Sequence, residues 1–238
     1  MTSERSVSSA RDRLAIALDT DDLRDAVAMV EQVQGSIGIA KVGLQLFSAA
    51  GHDAVHAVRD LGMDVFLDVK LHDIPNTVRG ASRVLASLGA RYLTVHAAGG
   101  VAMLEAAVQG LDEGAAKAGL PAPMVLAVTV LTSEPEASEE LLLQRLNAAQ
   151  AAGCRGVVCA ATDLHVVKRA APDITAVVPG IRPANAPAHD QARVATPADA
   201  IRNGADILVI GRAVTGSSNP SAAAADIAAE VTAAVSEP

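Results

Sequence analysis

The chain is predicted to be an α/β protein closed as a single (β/α)8 barrel of the TIM type, and three observations predict it. Eight short apolar runs alternate with Ala-rich amphipathic stretches, the pattern of repeated βα units around a parallel sheet. The length of 238 residues, half of them apolar, suits one barrel-sized core. Polar groups gather where the apolar runs end, which is the rim on which barrels carry chemistry. No linker or composition shift divides the chain, so residues 13–238 read as one domain behind a flexible N-terminal segment, 1–12.

The first run, 14–18, ends at Asp19 and precedes a helical stretch at 23–34. The second, 38–44, carries Lys41; the third, 65–69, carries Asp68 with Lys70 just beyond, and a helix is expected over 78–88. The fourth, 92–95, ends at His96 and leads into a helix at 101–117. The fifth, 124–131, ends at Thr132 ahead of a helix at 139–152, and the sixth, 156–160, has no polar end group and precedes 164–171. The seventh, 176–178, leads to Arg182, and the eighth, 207–210, to Gly211 and Arg212. An open doubly wound sheet would collect its ligand at one switch point; here seven of eight ends are chemically equipped.

Composition excludes several function classes. Two Phe, one Tyr and no Trp leave no stacking platform for bases, and a net charge of −8 opposes a phosphate-backbone surface, so no nucleic-acid partner is expected. A phosphorylated small molecule remains compatible if a few cations converge. Cys154 and Cys159 lack a second pair at metal-ligand or disulfide-framework spacing and read as buried thiols. With no apolar leader in the first twelve residues and no apolar run of membrane-spanning length, a soluble cytoplasmic protein with no membrane partner is expected.

The segment 68–77, Asp-Val-Lys-Leu-His-Asp-Ile-Pro-Asn-Thr, is the most informative in the chain. Side chains two apart on a strand share a face, so Asp68 and Lys70 point the same way from the end of an apolar strand. Such a pair is costly to desolvate unless its members satisfy each other, and its position favours a site over a purely structural ion pair. Single polar residues such as Asp19 and Lys41 could instead cap the following helix, and Thr132 with Ser133 could be an N-cap backed by Glu134 and Glu136. His96 reads as orienting a neighbour or satisfying a buried backbone group, and His72 as structural. His52, His56, His165 and His189 have no partners at metal-ligand spacing.

Taken in order along the chain, these residues resemble the orotidine 5′-monophosphate decarboxylase family. The resemblance rests on Ala17-Leu18-Asp19, Lys41-Val42-Gly43, the 68–77 segment, Val95-His96-Ala97-Ala98-Gly99-Gly100, Leu131-Thr132-Ser133, Pro179-Gly180-Ile181-Arg182, Asp190-Gln191, the run from Arg193 to Pro197, and Gly211-Arg212. It implies decarboxylation of orotidine 5′-monophosphate to UMP, the last step of pyrimidine nucleotide synthesis, with no metal and no organic cofactor. The implied catalytic array is Lys41, Asp68, Lys70 and Asp73, whose interleaved charges stabilise one another's ionised forms. Lys70 is assigned as proton donor to the C6 carbanion, and Asp68 as the group that holds it beside the departing carboxylate.

The resemblance further implies a homodimer in which Asp73, Ile74 and Thr77 reach the partner's site. Pro75 disfavours helix at Ile74, which is consistent with an outward reach. Asp19 and Lys41 are implied to hold ribose hydroxyls, and Thr132, Pro179 and Gln191 to contact substrate. The phosphate is expected between the loops after the seventh and eighth runs, where Gly180 and Gly211 allow close approach and Arg182 and Arg212 supply charge. Related phosphosugar enzymes, a 3-keto-gulonate-phosphate decarboxylase or hexulose-phosphate synthase, share Asp-x-Lys-x-x-Asp but bind Mg²⁺ through a carboxylate on the second strand. Lys41 stands at that place and would repel a divalent ion. A non-catalytic nucleotide-binding barrel is the remaining alternative, and the presence of Lys70 gives it no support.

Overall fold

The computed structural model describes residues 9–131, 138–183 and 195–236. Eight parallel strands close in sequence order: β1 (Leu14–Leu18), β2 (Ile39–Gly43), β3 (Asp64–Leu71), β4 (Tyr92–His96), β5 (Met124–Val128), β6 (Gly156–Val158), β7 (Thr175–Ile181) and β8 (Ile207–Ile210), with β8 pairing back onto β1. Around them run α1 (Leu23–Val33), α2 (Leu44–Ala50), α3 (His52–Asp60), α4 (Pro75–Ala86), α5 (Gly100–Ala118), α6 (Glu139–Ala151), α7 (Leu164–Ala170), α8 (Pro197–Arg202), α9 (Arg212–Thr215) and α10 (Pro220–Ser236). The predicted TIM barrel is therefore the fold.

Alternation along each strand separates two cores. Inward-facing Ala15, Ala17, Ile39, Phe66, Tyr92, Leu126, Val177, Ile207 and Val209 fill the barrel, while the other parity packs against the helices. With so few aromatics, the interior is mostly aliphatic; Phe66 and Tyr92 meet edge-on with centroids 6.1 Å apart near its floor. Below them Arg91 bonds Asp64 at 2.5 Å and lies over the Tyr92 ring at 5.3 Å. On the same N-terminal side, Lys168 donates to Asp206 at 2.8 Å and to the Ile174 carbonyl at 2.7 Å, and Asp206 also accepts from the Ala176 amide. These polar groups tie strand starts together, the end of a barrel that serves stability.

Strand limits differ from the predicted ones for local reasons. The second run stops at Gly43 because Leu44 already begins α2. The fifth stops at Val128, and just beyond it the Thr129 carbonyl accepts from Arg145 at 2.6 Å. The third and seventh run longer than expected, and both carry register shifts near their C-terminal ends. Three helix starts carry side-chain caps: Asp22 accepts from Arg24 N, Ser138 from Leu141 N and Thr196 from Asp199 N. The cap of α6 is thus Ser138, and that of α1 is Asp22 rather than Asp19.

Helices α4 and α5 lie backbone against side-chain-free backbone. A Cβ at Gly114 would sit 2.0 Å from the Arg83 carbonyl oxygen and one at Gly110 2.4 Å from that of Arg79, so any side chain there must drive the helices apart. The contact fixes α4, and with it the segment that enters α4 from the β3 rim. Ahead of β1, Arg11–Arg13 form a 3-10 turn, and the Arg11 carbonyl accepts from Gly38 N at 2.8 Å. Cys154 and Cys159 are buried free thiols, each pushed up to about 12 chiefly by burial, and are therefore inert packing groups. Among the described residues, no helix is long and apolar enough to cross a membrane.

Candidate active site

The parity that sends Ala17, Ile39, Phe66, Tyr92, Val177 and Val209 inward sends Asp19, Lys41, Asp68, Thr94, Pro179 and Gly211 inward one step higher. All of these except Thr94 line a cavity of about 550 Å³ at the C-terminal mouth of the barrel. Lys70, Gly180, Arg182 and Arg212 line it too, so most of the predicted site converges on one space.

Within it, charges alternate. Lys41 Nζ lies 3.1 Å from Asp19 Oδ1 and 3.6 Å from Asp68 Oδ2, and Lys70 Nζ donates to Asp68 Oδ1 at 2.8 Å. Asp68 is 9% exposed, and both its oxygens have partners, which is what makes a buried carboxylate tolerable. Gly43 leaves room for this line of charges: a Cβ there would meet Lys41 Nζ at 2.9 Å and Asp19 Oδ1 at 3.3 Å. Asp19 therefore pairs with Lys41 rather than capping a helix.

At Lys70 the backbone turns left-handed, φ 49°, the only non-glycine among the described residues to do so. The β3–β4 register shifts there between Leu67 and Leu71. The Lys70 amide donates to Thr94 Oγ1 at 2.9 Å, and Thr94 Oγ1 donates to Asp68 Oδ1 at 3.0 Å. Thr94 is absent from the sequence-predicted site. Its signal was its parity with Tyr92 and His96 on a strand whose inner face points at the mouth.

The opposite wall is apolar, with Val128, Val130, Leu131 and Val158; of these the sequence analysis had picked out only Leu131, as part of the Leu131-Thr132-Ser133 motif. Asp73, Ile74 and Thr77 do not line this cavity. They sit exposed at the entry to α4, with Ile74 66% accessible and the Asp73 carboxylate accepting from its own neighbour's amide at 2.7 Å. His96 ends β4 and faces His72, ring centroids 5.4 Å apart. Arg182 is buried, and its amide donates to the Ala195 carbonyl, closing the base of the connection after β7. Thr132 and Gln191, both predicted to contact substrate, lie outside the described residues. Among the described residues, no cluster of three or more His, Cys, Asp or Glu side chains is placed to hold a metal ion.

A sequence model of the orotidine 5′-phosphate decarboxylase / HUMPS family matches residues 12–227. The chain belongs to this family. Within the orotidine 5′-phosphate decarboxylase / HUMPS family it is 45% identical to an orotidine 5′-phosphate decarboxylase of Moorella thermoacetica, over 93% of each chain. It is 47% identical to one of Anaeromyxobacter, over 92% of this chain and 97% of the relative. A crystal structure of orotidine 5′-phosphate decarboxylase from Lactobacillus acidophilus superposes with a TM-score of 0.79 at 34% identity, covering 92% of this chain and 98% of that one.

Proposed function

We propose that the chain decarboxylates orotidine 5′-monophosphate to UMP, closing de novo pyrimidine nucleotide synthesis, without metal or organic cofactor. The single observation that carries this reading is the run Asp19, Lys41, Asp68, Lys70 in the barrel mouth, ending in an ammonium fixed 2.8 Å from a buried carboxylate. Breaking the bond from C6 to the carboxyl carbon leaves its electron pair on C6 as CO₂ departs. A cation preorganised beside that carbon stabilises the pair, then transfers one proton to it and becomes a neutral amine. Lys70 takes this role, with Asp68 holding it and sitting near the departing carboxylate. Lys41 sets an ammonium between two carboxylates, where it would repel a divalent ion, which supports the cofactor-free reading over a metal-dependent one.

In this reading Asp19 and Lys41 hold the ribose hydroxyls, while Pro179, Gly180, Arg182, Gly211 and Arg212 receive the phosphate end, with Thr132 and Gln191 completing the contacts. Asp73, Ile74 and Thr77 serve the partner's cavity in a homodimer; their exposure, and their absence from the lining of their own cavity, support this. Arg212→Ala should weaken UMP binding about 10- to 100-fold, the loss of a charge-assisted bond, and leave uridine binding unchanged. Equal losses for both ligands would remove Arg212 from the phosphate.

The deciding experiment incubates metal-free protein with orotidine 5′-monophosphate and chelator, and follows loss of the orotate absorbance. Full turnover with one UMP formed per substrate is expected. Turnover that appears only on adding Mg²⁺, or none in either condition, would overturn the reading.

A further inference from the structure

We infer that Thr94 is a positioning residue for the decarboxylation, fixing Lys70 and Asp68 relative to each other through one hydroxyl. The inference rests on the proposed role of Lys70. Between the pairs Leu67 with Leu93 and Leu71 with Val95, three residues of β3, Asp68, Val69 and Lys70, stand against Thr94 alone on β4. The bulge leaves the Lys70 amide without a ladder acceptor, and Thr94 Oγ1 supplies one at 2.9 Å.

Donor chemistry sets the direction of the whole relay. An amide can only donate, so Thr94 Oγ1 accepts from Lys70 N and its single hydrogen is free for the 3.0 Å bond to Asp68 Oδ1. That same oxygen receives the Lys70 ammonium at 2.8 Å. Backbone of residue 70, carboxylate of residue 68 and ammonium of residue 70 thus form a closed loop through one hydroxyl that is fully buried and does not line the cavity. The loop also compensates for the left-handed backbone at Lys70, a conformation that persists only where surrounding contacts hold it.

Thr94→Val keeps the shape and removes the hydroxyl, so both bonds are lost while the substrate-contacting groups remain. It should lower kcat about 10- to 100-fold, as expected for a catalytic group displaced by a fraction of an ångström, with UMP affinity held within about threefold. Thr94→Ser restores the hydroxyl and should recover most of kcat. If the valine variant fails to fold, Thr94→Ala against Thr94→Ser gives the same comparison, since the two differ only in the hydroxyl. Equal kcat in the hydroxyl-bearing and hydroxyl-lacking variants would overturn the inference, as would equal losses in kcat and UMP affinity. Lys70→Ala assayed alongside separates the causes: an active alanine variant would remove the role of Lys70 itself, whereas a dead one beside a fully active Thr94→Val would remove only that of Thr94.

Discussion

Lys70→Ala is expected to lower kcat by about 10,000-fold or more, because in the proposed mechanism it removes the proton donor and the preorganised cation together, two contributions each worth roughly 100-fold or more. UMP affinity should change by less than about tenfold, since the product needs no proton and the phosphate and ribose contacts remain. Asp68 keeps Lys41 and Thr94 as partners in this variant, so the carboxylate is not left bare. Single-turnover rates with orotidine 5′-monophosphate, paired with UMP titrations, check both halves. Undiminished decarboxylation would end the assignment of Lys70.

The second large effect comes from mixing two inactive proteins. In the proposed homodimer, Lys70→Ala and Asp73→Ala should each be nearly inactive alone, yet regain activity when their subunits exchange. Random reassortment makes half of the dimers mixed, and in each mixed dimer one of two sites combines an intact Lys70 with an intact Asp73, so about a quarter of the wild-type activity is expected. The measurement is activity against mixing ratio, with exchange followed by native mass spectrometry. Demonstrated exchange with no recovered activity would place Asp73 outside the partner's site.

The barrel was legible because polar or glycine residues bound its apolar runs: β1 and β8 have the limits that Asp19 and Gly211 suggest. Rim chemistry was legible for the same reason, since period-two alternation carries Asp19, Lys41 and Asp68 to the inner face once the strands are known. The β3 bulge was not. It depends on a hydroxyl one strand away, and nothing in Asp-Val-Lys announces that Lys70 will turn left-handed. Helices α2 and α3 were also hidden, because Leu44 extends the apolar run of β2 and Gly51, at φ 57°, divides residues 44–60 into two short helices. The apolar wall of Val128, Val130 and Val158 looks in sequence like any other core, and only closure of the barrel turns it toward the ligand space.

Tyr92 has an optical consequence. With no tryptophan in the chain and no other tyrosine, ultraviolet emission excited beyond the phenylalanine band originates from one ring set in the barrel floor. That ring touches Phe66, whose other side borders the cavity, so a ligand settling against Phe66 is one aromatic contact from the fluorophore. The native chain therefore carries a built-in reporter of events at the mouth, read from below and without any label.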